Sequence, residues 1–248
     1  MNRCAALRPR GFTKIHWRQA LLHGQLGIVE GRLQKRGPTR VLTKASEPLR
    51  PAMTKIGIIG AGGIGRALAV QLARARINTV ISNSTGGGSL AALAREIGPL
   101  ATAGTVIDAS RPEIVILALP WSAVGEAVAP IRDWDGRIVV DATNPLGAHA
   151  ASLERTSSEV IADLVPGARV VKAFNTLPPA VLGANPGEAG GRRVIFFSGD
   201  HARAKGEVAR LLDRLGFSGI DLGGLAEGGR LHQFPGGPLS ALNLLRLG

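Results

Sequence analysis

Tyrosine is absent from the 248 residues, aromatic side chains make up only 4% of them, and Cys4 is the single cysteine. One thiol excludes an internal disulfide framework and a cysteine-rich metal centre, and it fits a reducing compartment, with the cytoplasm as the default. No run of about 18 apolar residues occurs, which argues against a membrane-spanning helix. With 45% hydrophobic residues and so few rings, any core has to be built from Ala, Val, Ile and Leu. Acids are also scarce, eighteen against thirty Lys and Arg, giving a formal charge of +12. Such an excess invites a nucleic-acid partner, but its placement decides against one. Residues 1–50 hold eleven Lys and Arg against only Glu30 and Glu47, whereas the other nineteen meet sixteen acids. The folded part is therefore close to neutral.

Residues 1–52 show no sustained periodicity and read as a disordered basic extension, Arg-rich and acid-poor in the manner of an organellar transit sequence. Met53 stands just before the first strand. The expectation is that Met53 is the natural start and that the preceding residues are a removable leader or an upstream-start artefact. Residues 53–248 are read as one folded domain.

Within that domain apolar runs alternate with helical spacing, the order that βαβ units require. Strands are expected at 55–59, 79–82, 114–119, 137–141 and 169–172, each a short buried run bounded by turn residues. Helices are expected over 62–76, from an N-cap at Ser89 to Ile97, and over roughly 148–164. A strand over 193–197, a helix over 201–215 and a strand over 217–222 continue the alternation, and 238–247 is a candidate terminal helix. The fold class is a doubly wound, mostly parallel α/β Rossmann sheet with helices on both faces.

Gly60-Ala61-Gly62-Gly63-Ile64-Gly65 is a GxGxxG motif set between the first strand and the first helix. The first glycine permits the tight turn, the second lets the backbone approach a pyrophosphate, and the third lets helix and strand pack closely. The helix start adds free N–H groups and the positive end of a dipole. About 20 residues after the first glycine, where an acid would bind the ribose of NAD, stand Ser82, Asn83, Ser84 and Thr85. Without a carboxylate to repel a 2′-phosphate, NADP is the expected cofactor. The turns after Leu119, Asp141 and Lys172 should face one cleft, because ligands bind at the carboxyl ends of open parallel sheets. They carry Pro120 and Trp121, Asn144, and Asn175, whose polar groups suit a nicotinamide carboxamide.

Other polar residues have plainer readings. Asp141 ends a strand and is expected to bond neighbouring backbone N–H groups rather than serve as a base, and Lys172 is similar. His232 lies in a Gly/Pro-rich segment that could fold over the cleft. It is the one catalytic candidate, weighed against an ordinary solvated loop histidine. No grouping has metal-ligand spacing, and no serine sits in a nucleophile elbow.

Taken together, the stretches at 55–65, Ile81-Ser-Asn-Ser84, Ala118-Leu-Pro-Trp121, Asp141-Ala-Thr-Asn-Pro-Leu146 and Lys172-Ala-Phe-Asn-Thr-Leu177 resemble the deazaflavin-dependent NADP reductase family over residues 54–248. The resemblance implies hydride transfer between NADP(H) and a flavin or deazaflavin. It also implies NADP binding by Gly60, Gly62, Gly65 and residues 82–85, with Pro120, Asn144 and Asn175 near the nicotinamide. Thr85 departs from the pattern, since similar proteins often place there an Arg that would clasp the 2′-phosphate. Arg66 and Arg95 are the residues positioned in sequence to substitute. Trp121 is followed by Ser122 where relatives commonly show an acid. The expected partner is a small, flat redox molecule, with neither nucleic acid nor membrane involved. A homodimer through the apolar stretch 239–247 is a further expectation. The alternative to an enzyme is a non-catalytic dinucleotide-binding sensor.

Overall fold

In the computed structural model the described residues are 55–84, 90–146 and 154–248. The basic extension, Met53, Thr85, the glycines at 86–88, Ser89 and the first part of the helix expected over 148–164 lie outside them. The element order places β1 (Lys55–Ile59), α1 (Gly63–Arg74), β2 (Asn78–Ser82), α2 (Ala91–Ile97), β3 (Ala101–Ala103), α3 (Val106–Ser110) and β4 (Ile114–Leu117) first. A 3-10 turn (Trp121–Ala123), α4 (Val124–Val128), β5 (Ile138–Asp141), α5 (Ser157–Leu164), β6 (Arg169–Ala173) and α6 (Pro179–Gly183) follow. The remainder is β7 (Gly187–Glu188), β8 (Gly191–Gly199), α7 (Ala202–Arg214), β9 (Ser218–Asp221), α8 (Glu227–His232) and β10 (Leu245–Leu247).

Strand order across the sheet runs β3-β2-β1-β4-β5-β6, all parallel, then β8 antiparallel to β6, with β9 alongside β8. The order reverses between β1 and β4. That is the topological switch point at which open α/β sheets bind ligands. The central strands are buried on both faces because helices cover both sides, which is why β1, β4 and β5 read as unbroken apolar runs. One apolar cluster gathers Ile58, Leu68, Leu72, Ile116 and Val140 under α1 and α7; the other gathers Ile59, Leu117, Val124, Val139 and Ile161 under α4 and α5. Gly57 lets α3 touch the sheet, since a Cβ there would stand 1.7 Å from the Ala109 carbonyl oxygen.

Of the helix expected over 148–164, the described residues 154–164 hold α5 from Ser157, where Thr156 accepts from the Glu159 N–H and the Glu159 carboxylate accepts from the Thr156 N–H, a capping box. One expected helix changes. The terminal helix over 238–247 is instead turns followed by β10. The exposed edge of β8 needs main-chain partners, and Val194 N–H donates to Leu244 O at 2.9 Å just where β10 begins its antiparallel pairing. Tertiary pairing overrides the helical spacing of that stretch. Among the described residues no helix is long and apolar enough to cross a membrane.

Candidate functional site

Each glycine of the motif has its own steric reason. Gly60 holds φ +112°, donates its N–H to Ser82 O at 2.9 Å, and lies so close to β4 that a Cβ would come within 2.3 Å of Ala118 O. Gly65 packs α1 onto the turn, where a Cβ would meet Gly60 O at 1.9 Å. Gly62 is different, because nothing lies within 4 Å of its would-be Cβ. The space above it is open, as close approach by a ligand requires. Gly62 caps α1 without a side chain, and no acid occupies the first turn. The first N–H groups of the helix thus have no intrahelical acceptor and face no carboxylate from their own turn.

A cleft of about 400 Å³ opens above these residues and is lined by Gly60, Ala61, Gly62, Asn83, Ser84, Leu119 and Pro120. Its far wall is Val106 with Ala123, Glu126, Ala127 and Pro130. The sequence reading missed that wall. Its signal was the i, i+3, i+4, i+7 spacing of the last four, one helical face whose element was too short to be recognised.

The other expected residues divide. Ser82 turns its hydroxyl into the sheet, fully buried and donating to Ile58 O at 3.3 Å. Ile64 packs on the core, and Gly63 is covered by Pro179, whose Cγ would lie 2.8 Å from a Cβ. Arg66 is exposed and bonds Ala61 O, while Arg95 is exposed and bonds Ala91 O in its own helix. Trp121 is half-buried, with its indole N–H donating to Ser157 O at 3.4 Å.

Beyond the switch point, β5 and β6 end in the second group. Asn144 Nδ2 donates to Asn175 O at 2.8 Å, and Asn175 Nδ2 donates to Asn144 Oδ1 at 3.1 Å and to His232 O at 2.7 Å. Asn175 is 5% exposed, and its Oδ1 is buried without a partner. Phe174, just before it, is fully buried in the left-handed region at φ 63° and meets the Phe217 ring edge-on at 6.4 Å. Such strain in a bulky residue persists only where the surroundings impose it.

Beneath the pair, strand register sets Asp141, Lys172 and Ser198 side by side across β5, β6 and β8, all fully buried. Lys172 Nζ lies 3.1 Å from Asp141 Oδ2 and donates to Thr143 O at 3.1 Å and Ser157 Oγ at 3.3 Å. Asp141 also accepts from Ser158 Oγ at 2.5 Å, Thr143 N at 2.9 Å and Thr143 Oγ1 at 2.7 Å. Burial pushes this carboxyl up, but the Lys172 ammonium and the Ser158 and Thr143 hydrogen bonds outweigh it and hold it below the ordinary carboxylate value. The expectation that Asp141 bonds the neighbouring backbone is met, and the ion pair adds to it.

His232 ends α8 instead of lying in a solvated loop. It is fully buried, with Nε2 2.9 Å from Ser198 Oγ and Nδ1 unpartnered. Burial, helped by the Lys172 charge, lowers its pKa to about 3, so the ring is neutral at physiological pH. Among the described residues no group of three His, Cys, Asp or Glu is placed to hold a metal ion.

Residues 55–145 match the family described as NADP oxidoreductase, coenzyme F420-dependent. A solved structure of a hypothetical protein from Sinorhizobium meliloti is 46% identical, with 78% of this chain and 96% of that one covered at a TM-score of 0.74. A proposed F420-dependent NADP reductase from Arthrobacter sp. is 30% identical, with 70% of this chain and 86% of that one covered at a TM-score of 0.61. Metalloreductase STEAP3 of Rattus norvegicus is 28% identical over 181 residues, which are 73% of this chain and 36% of that protein. The chain thus spans about a third of the length of the curated relatives it matches.

Proposed function

This chain belongs to the coenzyme F420-dependent NADP oxidoreductase family, and from that premise we propose that it transfers hydride between NADP(H) and a flavin-like or deazaflavin acceptor. The observation that carries the reading is the open face of Gly62 at the uncapped start of α1, beside a cleft at the topological switch point. The residues fit the cofactor. Gly62 and the N–H groups behind it would receive the diphosphate, Asn83 and Ser84 would hold the adenosine ribose, and the stretch from Ala123 to Pro130 would wall the adenine. Asn175 Oδ1, a buried acceptor without a donor, suits the carboxamide N–H of the nicotinamide.

Bound NADPH supplies the hydride. The protein's share is to orient the ring and exclude water. Asp141 and Lys172 are bonded to each other, and His232 to Ser198, so the ionisable side chains beneath the Asn pair are not free to hand a proton to an acceptor. An acceptor that takes hydride into a flat conjugated ring needs no such donor, which favours flavins and deazaflavins over carbonyl compounds. The test is oxidation of NADPH by the purified protein with flavins, deazaflavins and quinones in turn, followed at the absorbance of the reduced nicotinamide. Tight NADPH binding with every acceptor inert would overturn the reading in favour of a sensor.

Preference for NADP over NAD rests on the absence of a carboxylate at 82–85. Thr85→Arg is expected to raise the ratio of NADPH to NADH affinity, measured by calorimetry, and an unchanged ratio would show that the 2′-phosphate lies elsewhere. The homodimer also belongs to this proposal, because Leu242, Leu244 and Leu247 are 37%, 41% and 68% exposed. Light scattering on Leu244→Glu/Leu247→Glu should then give a smaller mass than the unaltered chain, and equal masses would dismiss the interface.

A further inference from the structure

We infer that the buried Lys172–Asp141 pair positions the nicotinamide half of the site by clamping the main chain at Thr143 and thereby fixing the Asn144–Asn175 amide pair; this rests on the proposed cofactor reading. Buried ion pairs are poor devices for stability alone, since apolar side chains of similar volume usually serve the fold as well or better. Within the row Leu117, Asp141, Lys172, Ser198 set by strand register, the position beside Asp141 on β4 is an apolar core residue. The charges therefore call for a reason other than filling space.

The reason lies in where their hydrogen bonds go. An ammonium has three protons, and those of Lys172 are directed to Asp141, Thr143 O and Ser157 Oγ. Asp141 returns to the same turn, accepting from both the N–H and the hydroxyl of Thr143. Thr143 is thus held at three atoms, with both members of the pair engaged. The next residue, Asn144, donates its Nδ2 to the main-chain O of Asn175 and accepts at Oδ1 from Asn175 Nδ2, which also donates to His232 O. Two carbonyl oxygens around that Nδ2 fix which way the amide faces, so its Oδ1 is the atom left over. Lys172 and Asp141 do not reach the cleft themselves and act through Thr143.

The test separates the two ends of the dinucleotide. Calorimetry measures binding of NADPH and of 2′,5′-ADP, which lacks the nicotinamide, to the full chain and to two variants. In Asp141→Asn/Lys172→Met neither charge is left buried alone, but the ammonium's grip on Thr143 O is lost. It should weaken NADPH by about tenfold or more, on the scale of misplaced positioning groups, with 2′,5′-ADP affected less than about twofold. Thr143→Val keeps both charges and loses only the hydroxyl bond, so a smaller shift of the same pattern is expected, and it decides the matter if the double variant does not fold. Stereospecificity gives a second readout, because a loosened amide pair should let deuterium transfer from both 4R- and 4S-labelled NADPH. Equal weakening of both ligands would mean that the pair serves only the fold, and unchanged NADPH binding would mean that it has no role here. Either result overturns the inference. If the unaltered chain binds neither ligand, the cofactor reading itself has failed.

Discussion

At the scale of single residues, glycines of one motif answer different demands and predict different phenotypes. Gly65→Ala forces a Cβ against Gly60 O at 1.9 Å, and such overpacking typically costs about 1–3 kcal/mol. Gly62→Ala meets nothing in the protein, and its φ of −69° suits alanine. Urea unfolding should show a clear loss of stability for Gly65→Ala and almost none for Gly62→Ala, while calorimetry shows NADPH binding weakened in Gly62→Ala at intact stability. Normal NADPH affinity in Gly62→Ala would place the diphosphate elsewhere.

His232 makes a second residue-scale prediction. Its ring stays neutral in the fold to about pH 3, whereas in the unfolded chain it takes a proton near 6.5. Because the folded value is the lower one, the stability is complete above pH 6.5 and drains as the pH falls toward 3. The loss between pH 7 and pH 5 is about 2 kcal/mol for one such group. Urea unfolding at those two pH values should therefore show a smaller decrease for His232→Gln than for the unaltered chain. Parallel decreases would mean that the ring is protonated in the folded protein.

At the scale of elements, the capping box of α5 is a local device that sets a helix start. Thr156 Oγ1 accepts from Glu159 N, donates within reach of the Glu159 carboxylate, and lies 3.1 Å from Leu225 O. Thr156→Ala is expected to cost about 1–2 kcal/mol, and an unaltered unfolding midpoint would show that the cap contributes nothing. The same helix shows what a sequence reveals and what it hides. The spacing over 148–164 announced the helix that the described residues hold from Ser157, but not the cap there, although Thr156 and Glu159 stand three apart in the capping-box pattern. The strand–turn–helix at 55–74 was legible because a four-residue apolar run from Ile56 to Ile59, three spaced glycines and a helical stripe all lie within 20 residues. Elements of three to five residues, such as β3, α3 and α4, carry too little period to be seen, and the far wall of the cleft was lost with α4. β10 was hidden for another reason, since its conformation is set by β8, some fifty residues earlier in the chain. The rule of strand ends pointed to the turns after β5 and β6, where Asn144 and Asn175 bond each other. The burial of Ser82 and His232 depended on neighbours from β1 and β8 that no local pattern names.

At the scale of the whole molecule, the cleft lies where the parallel half of the sheet led by β1 and β2 meets the half led by β4 and β5, so a dinucleotide spanning it ties the two halves together in the folded state only. The unfolded chain offers no comparable site, and a ligand that binds only the native form at a hundred times its Kd adds about 2.7 kcal/mol. For a domain of this size that corresponds to a rise of roughly 5–10 °C in Tm. NADPH should raise the midpoint by this order at saturating concentration. At equal concentration NADH should raise it less if the carboxylate-free end of β2 favours the 2′-phosphate. 2′,5′-ADP should recover part of the NADPH effect, because under the proposed reading it would fill the adenosine side of the switch point and leave the Asn144–Asn175 side empty. A midpoint indifferent to all three nucleotides would remove the dinucleotide site from this fold, whatever its glycines suggest.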